Sequence, residues 1–394
     1  MSIALPHRRR FLALGLAQAA RVGGAGALGL TVSACTPPRH RERDPARLRL
    51  IGQARLPYRM EHQGTVVGGL SAIDFDAASE RWYVLSDDRS DLGPARAYRL
   101  HMSIAADRVD APQVESVIPL RQADGTPYPN RRRGGDVPDP EGLRLRPDTR
   151  TLLWTSEGDR KLKLAPFLRE ARLDGGHVRH LHLPPAWLKV DNSAHGPRDN
   201  LGPEGLALTP DGRHAWVALE SALLQDGSTP TVDAPGGPCR LAQIDLATGQ
   251  PVREVAYVPD PIPRASVPPG SFADNGVSEI LMIDAHRMLV LERAFMMGVG
   301  MSLRLYEIDT RQGTDTLTTD RLRLGPGGNT RVCPKTLVAD FAQLGIDRLD
   351  NTEGLCWGPR LGNGNRTLVA VSDDNFNALQ ITQFLAFEYL ETVR

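Results

Sequence analysis

The chain has 394 residues, enough for a large core and long for one ordinary domain. Its 38 glycines and 31 prolines, with no stretch of sustained helical period, argue against a helix bundle and for many short strands joined by turns. Lysine plus arginine and aspartate plus glutamate each number 47, so the formal net charge is zero; no global field draws in nucleic acid, and no such partner is expected.

At the N-terminus, residues 1–35 read as a targeting segment that stays out of the fold. Arg8-Arg9-Arg10-Phe11-Leu12 resembles the twin-arginine export motif, a Gly/Ala-rich apolar run continues to Leu30, and Val32-Ser33-Ala34-Cys35 resembles a lipoprotein cleavage box. On that pattern Cys35 is the lipidated first residue of an exported protein, tethered by its lipid to the membrane on the periplasmic side of the cell envelope. A spanning helix is the weaker reading, because Gln18, Arg21 and the glycines dilute the run. Residues 36–46, rich in Pro, Arg and Asp, read as a flexible tether to a folded domain over 47–394.

Within that domain one unit recurs. It is best formed at Asn351–Phe376, NTEGLCWGPRLGNGNRTLVAVSDDNF, where an apolar strand, a Gly/Asn turn and a returning apolar strand predict a β-hairpin. Copies stand at 68–88, 139–159, 202–221 and 276–295, roughly 60 to 80 residues apart, the self-similarity of a repeat architecture. The first copy shows no acid before its Gly69-Leu70 pair, and the fourth carries Glu279 where others have Gly. Two more strand-like runs follow each of the first four copies: 95–102 and 114–120, 166–173 and 177–183, 239–245 and 251–258, 302–308 and 319–324. The fifth copy has only 380–389, and Arg47–Leu56 is an unassigned strand-like run at the other end. The predicted fold is therefore all-β: a β-propeller of five four-stranded blades, closed by the N-terminal strand on the last blade. The Pro/Gly-rich insertions at 193–200, 259–275 and 325–350 leave room for a sixth.

If the hairpins supply the inner strands, their acidic ends collect on one rim of the channel. That rim would carry Asp87, Asp88, Asp139, Glu141, Glu157, Glu204, Glu220, Glu279, Glu292, Glu353, Asp373 and Asp374. Such crowding demands raised pKa values or counter-cations. Arg89, the Arg131–Arg133 run, Arg293 and Lys335 are candidate relief; a hard oxygen-seeking cation such as Ca²⁺ is the other solution. Candidate metal ligands are Asp139, Glu141, Glu157, Glu204, Glu220, Glu292, Glu353, Asp373 and Asp374, with arginine-paired strand caps as the alternative. His180 and His182 alternate on one strand, which an exposed outer strand explains as well as a metal role does. Cys239, Cys333 and Cys356 cannot all pair, and free buried thiols are the simpler expectation.

DPEGL followed by SEG, VLERAF followed by LRLYEID, and NTEGLCWGPR followed by TLVAVSDDNF together resemble the phytase-like family of bacterial proteins with esterase-like activity. The resemblance runs from Gly68 to Glu388. It implies a propeller, calcium-dependent phosphoester chemistry, and motif positions at Asp139, Glu141, Glu157, Glu204, Glu292, Arg293, Glu353, Asp373, Asp374 and Asn375. No G-x-S-x-G or H-E-x-x-H is present, so neither a nucleophile-elbow esterase nor a zincin is supported. The sequence points instead to a monomeric hydrolase of a small ester or phosphoester, with Glu141 or Glu353 as general base and Arg293 or Lys335 neutralising charge. A non-catalytic calcium-binding docking module and a lactonase-type hydrolase remain open.

Overall fold

The computed structural model describes residues 47–191 and 194–391. The expected export segment with Cys35 and the tether lie outside them. Among the described residues there are 22 strands and no α-helix, and no helix long and apolar enough to cross a membrane. The strands form five four-stranded sheets and one two-stranded ribbon.

Each sheet is a meander. Blade 1 comprises β4 (Leu70–Asp76), β5 (Arg81–Ser86), β6 (Arg96–His101) and β7 (Gln113–Pro119). Blade 2 comprises β8 (Pro140–Arg146), β9 (Thr151–Ser156), β10 (Phe167–Arg172) and β11 (His177–Leu181). Blade 3 runs through β12 (Pro203–Leu208), β13 (His214–Leu219), β14 (Cys239–Asp245) and β15 (Pro251–Tyr257). Blade 4 runs through β16 (Ala273–Met282), β17 (Arg287–Met296), β18 (Gly300–Asp309) and β19 (Lys335–Asp340). Blade 5 is β20 (Asn351–Arg360), β21 (Arg366–Asp373) and β22 (Gln383–Tyr389), completed by β1 (Leu48–Arg55) on the outer edge. The strand from the start of the domain thus closes the ring as the sequence predicts, pairing Leu48 with Tyr389 and Arg55 with Gln383. A short ribbon, β2 (Met60–His62) with β3 (Thr65–Val67), follows β1.

The inner strands β4, β8, β12, β16 and β20 pack side by side around the axis, β20 against β4. Five apolar clusters fill the spaces between neighbouring blades. Trp82 lies between blades 5 and 1, Trp154 between 1 and 2, Val217 between 2 and 3, Trp216 between 3 and 4, and Phe387 between 4 and 5. Burial of these side chains, ~150–250 Å² for each large aromatic, is what holds the ring.

The blade count is five, as the repeat predicts; the three long insertions form no sixth blade among the described residues. One expectation is corrected. The outer strand of blade 4 is β19, not 319–324. The fully buried Arg240 of blade 3 captures the carbonyls of Thr319 (2.9 Å) and Asp320 (3.0 Å), while Asp226 accepts from the Leu322 amide (2.8 Å). A segment whose backbone is spent on a neighbouring blade cannot pair as a strand in its own.

Candidate metal centre and its surroundings

The inner hairpin of every blade carries a register shift at the same place: between Leu70 and Ala72, Pro140 and Leu143, Pro203 and Gly205, Val277 and Glu279, Thr352 and Gly354. The bulged residue is Ser71 in blade 1, Glu141 in blade 2, Glu204 in blade 3, Ser278 in blade 4 and Glu353 in blade 5. A bulge leaves one residue out of the ladder and re-aims its side chain. This register revises the sequence alignment of blade 1: Ala72-Ile73, not Gly69-Leu70, matches Gly142-Leu143, so Ser71 occupies the acid position. The residue after the bulge is glycine in three blades because the blades touch there. A Cβ on Gly142 would lie 2.8 Å from the Glu204 carbonyl oxygen, and one on Gly205 would lie 2.9 Å from the Ile280 amide.

All five hairpin turns lie at the far end of the inner strands, so most of the acids share one rim; Glu279, expected there, lies one layer below it, paired with Arg144 at 2.9 Å. Two triads there have carboxylate oxygens within 4.8 Å of one another: Asp139, Glu141 and Glu157, and Glu157, Glu204 and Glu220. Glu157 belongs to both. All but Glu141, which is partly exposed, are buried. Burial drives the Glu141 carboxyl well above its ordinary value, and the charges of Glu204, Glu157, Asp139 and Glu353 push it further.

The remaining predicted residues distribute around this centre. On one flank Arg89 bridges Asp139 (3.0 Å) and Asp159 (2.7 Å), and Arg131 also reaches Asp159 (2.8 Å). On the other flank Arg293 passes from blade 4 to Glu220 in blade 3 (3.0 Å) and to Glu353 in blade 5 (3.6 Å). Arg293 also donates to Asn351 Oδ1 (2.8 Å), whose amide donates to Glu353 (2.9 Å) and Asp373 (3.1 Å). Asp373 is raised well above its ordinary value by burial and by Asp87, Glu353 and Asp374. Asn351, not singled out by sequence, is thus a member of the rim; its place shortly before the Glu353-Gly354 pair is the available signal. Asp374 accepts from the amides of Gly69 (2.9 Å) and Phe376 (3.0 Å), and its role there is to fix backbone. Asn375 donates its amide to Asp373 (2.7 Å). Asp88 ties down its own loop and pairs with Arg96 (2.7 Å).

Glu292 and Lys335 fall elsewhere. They bond each other at 2.5 Å between blades 3 and 4, where Glu292 also accepts from Tyr257 (2.5 Å) and Asn275 (2.9 Å) and Lys335 pairs with Asp260 (2.7 Å). Neither belongs to the carboxylate triads. Adjacent residues of β17 alternate, and Glu292 and Arg293 face opposite sides. His180 packs against His177 and Arg169 on the outer edge of blade 2, and no metal-ligating group among the described residues includes it. Cys239, Cys333 and Cys356 are free and buried.

The donor set suits a hard divalent cation: it is all carboxylate oxygen and held at or next to the ends of strands. No curated protein matches the sequence. Among solved structures the chain is similar to hydrazine synthase of Kuenenia stuttgartiensis (13% identity, 80% of this chain and 81% of that chain covered, TM-score 0.37). It is also similar to a Lactobacillus plantarum protein (14%, 82% and 77%, 0.35) and to U3-55K (11%, 85% and 98%, 0.36). A comparison with protein families matches residues 65–376 to the family described as phytase-like, esterase-like activity of phytase. The chain belongs to this phytase-like family.

Proposed function

We propose that the protein is a hydrolase of ester or phosphoester bonds that works with a divalent cation, calcium by donor chemistry, held by Asp139, Glu141, Glu157, Glu204 and Glu220. The observation that carries this reading is the pair of carboxylate triads sharing Glu157. Family membership supports the hydrolytic class. When bound, the cation supplies Lewis acidity and favours ionisation of water.

The chain's own groups do the rest. Among the five carboxylates Glu141 is the one that is partly exposed, the condition for a group that reaches substrate or water. Arg293 presents a fixed guanidinium beside Glu353 and Glu220, suited to an anionic oxygen. Glu353 is the second candidate base, oriented by Asn351. Lys335, committed to Glu292 and Asp260, drops out of this role. The twin-arginine-like and lipobox-like motifs before residue 36 support a site of action on the periplasmic side, with lipid on Cys35 as the anchor.

Metal content of the purified protein, combined with phosphatase and carboxylesterase assays with and without chelator, tests the reading. Stoichiometric calcium with chelator-sensitive ester cleavage is expected. A metal-free protein that cleaves neither ester class and melts at the same temperature with and without calcium overturns it.

A further inference from the structure

One layer beneath the acidic rim, the axis of the propeller is filled by a single ion pair. Arg144 of β8 and Glu279 of β16 meet at 2.9 Å, with side chains 3% and 1% exposed. Arg144 donates to the carbonyls of Ile73 in blade 1 (3.1 Å), Leu143 in blade 2 (2.7 Å), Ile280 in blade 4 (3.2 Å) and Leu355 in blade 5 (2.8 Å). Glu279 accepts from the amides of Leu206 in blade 3 (2.8 Å) and Ile280 in blade 4 (2.9 Å). Every blade is held. In every blade the residue held is the second after the bulge: Ile73 follows Ser71, Leu143 follows Glu141, Leu206 follows Glu204, Ile280 follows Ser278 and Leu355 follows Glu353.

We infer that Arg144 and Glu279 are positioning residues for the cation site. Five strands from five sheets approach the axis, and the hydrogen bonds within each sheet do not fix the height of one inner strand against the next. The pair ties all five backbones to one point, two residues (~7 Å of strand) below the bulges. It thereby sets Glu141, Glu204 and Glu353 level with one another, and it closes the channel beneath them, so that substrate and product use the same mouth. Both residues act on the rim through backbone. The inference rests on the cation reading of the rim.

The test is calcium titration by calorimetry on the wild type and on Arg144→Lys and Glu279→Gln, each well below its melting temperature. Lysine keeps the charge but cannot span four carbonyls; glutamine keeps the shape but loses the ion pair. Arg240→Lys is the control. Arg240 is equally buried and equally multivalent, bonding Asp226, Glu254 and the carbonyls of Thr319 and Asp320, but it stands on the third strand of its blade, away from the axis. Calcium dissociation constants at least tenfold weaker in both axial variants, with the control lowered in melting temperature but unchanged in affinity, is the expected result. If Arg144→Lys fails to fold, Glu279→Gln alone decides. Wild-type affinity in a folded axial variant, or equal loss in the control, overturns the positioning role and leaves the cation site standing. A wild type that binds no calcium overturns both.

Discussion

Arg293 reaches Glu220 at 3.0 Å across the boundary between blades 4 and 3, so one wall of the cation site is already faced by a built-in cation. The same guanidinium lies 3.6 Å from Glu353. Blade 4 contributes Ser278 rather than an acid at its bulge, and Arg293 fills that sector instead. The rim is therefore polarised: the acid triads gather toward blades 2 and 3, and an arginine stands toward blades 4 and 5.

Arg293→Gln should consequently have two opposite effects. Without metal it takes an ion partner from buried Glu220, a loss of about 3–5 kcal/mol. With calcium the removed positive charge no longer repels the ion, and affinity should rise at least tenfold, about 1.4 kcal/mol. Thermal melts with chelator and with excess calcium read both at once. A variant with lower calcium affinity than wild type would show that Arg293 supports the site rather than competing for it.

The pH dependence of the metal-free protein follows from Glu141 and Asp373. Both carboxyls are raised well above ordinary values of 4.5 and 3.8 by burial and neighbouring acids. An acid whose proton is held more tightly in the fold than in the unfolded chain favours folding at low pH. Its contribution is complete below the unfolded value and is lost as pH rises past it toward the folded one. With chelator present, stability should fall as pH rises from about 4.5. Saturating calcium should flatten or reverse that slope, because the ion favours the charged forms. Melting temperatures on a pH series in the two conditions check it; a chelated protein that grows more stable as pH rises from there would count against the assignment.

The propeller is plain in the sequence because its repeat is carried by local chemistry. The Glu-Gly-Leu strand starts, the turn residues and the apolar alternation are each readable alone, and blade closure follows from one missing strand and one spare. The rim acids are legible for the same reason. What is not legible depends on contacts between blades. Arg144 stands in LRLR, where alternation makes an outward arginine the ordinary reading, and only ring closure shows that it points to the axis. Thr319–Leu324 alternates like a strand, and only the demands of buried Arg240 take its backbone away. Glu292 and Arg293 are adjacent in sequence, yet strand alternation sends them to different clusters.

The three thiols of the propeller should be chemically silent. Burial pushes Cys239 and Cys356 well above the ordinary thiol value and Cys333 to about 11, so the thiolate that reacts is scarce in each. A protein starting at residue 47 should show no rapidly reacting thiol when native and three in denaturant, and reductant should leave its melting temperature unchanged. A native thiol that reacts at the rate of a free cysteine would place one of them at a mobile opening.

Ring closure by β1 gives the last prediction. β1 pairs along the whole of β22, and Leu48, Ile51 and Leu56 are 3%, 7% and 6% exposed. At about 1.5–3 kcal/mol each, burial of these three side chains contributes roughly 5–9 kcal/mol, comparable to the entire stability of many domains. Its loss also bares the edge of β22, whose side chains are buried from Gln383 to Tyr389. A chain starting at residue 57 should therefore melt far below one starting at residue 47, and should associate through the open edge in sedimentation measurements. Equal melting temperatures and monomeric behaviour for both would mean that blade 5 is stable with three strands and that β1 merely lies against it.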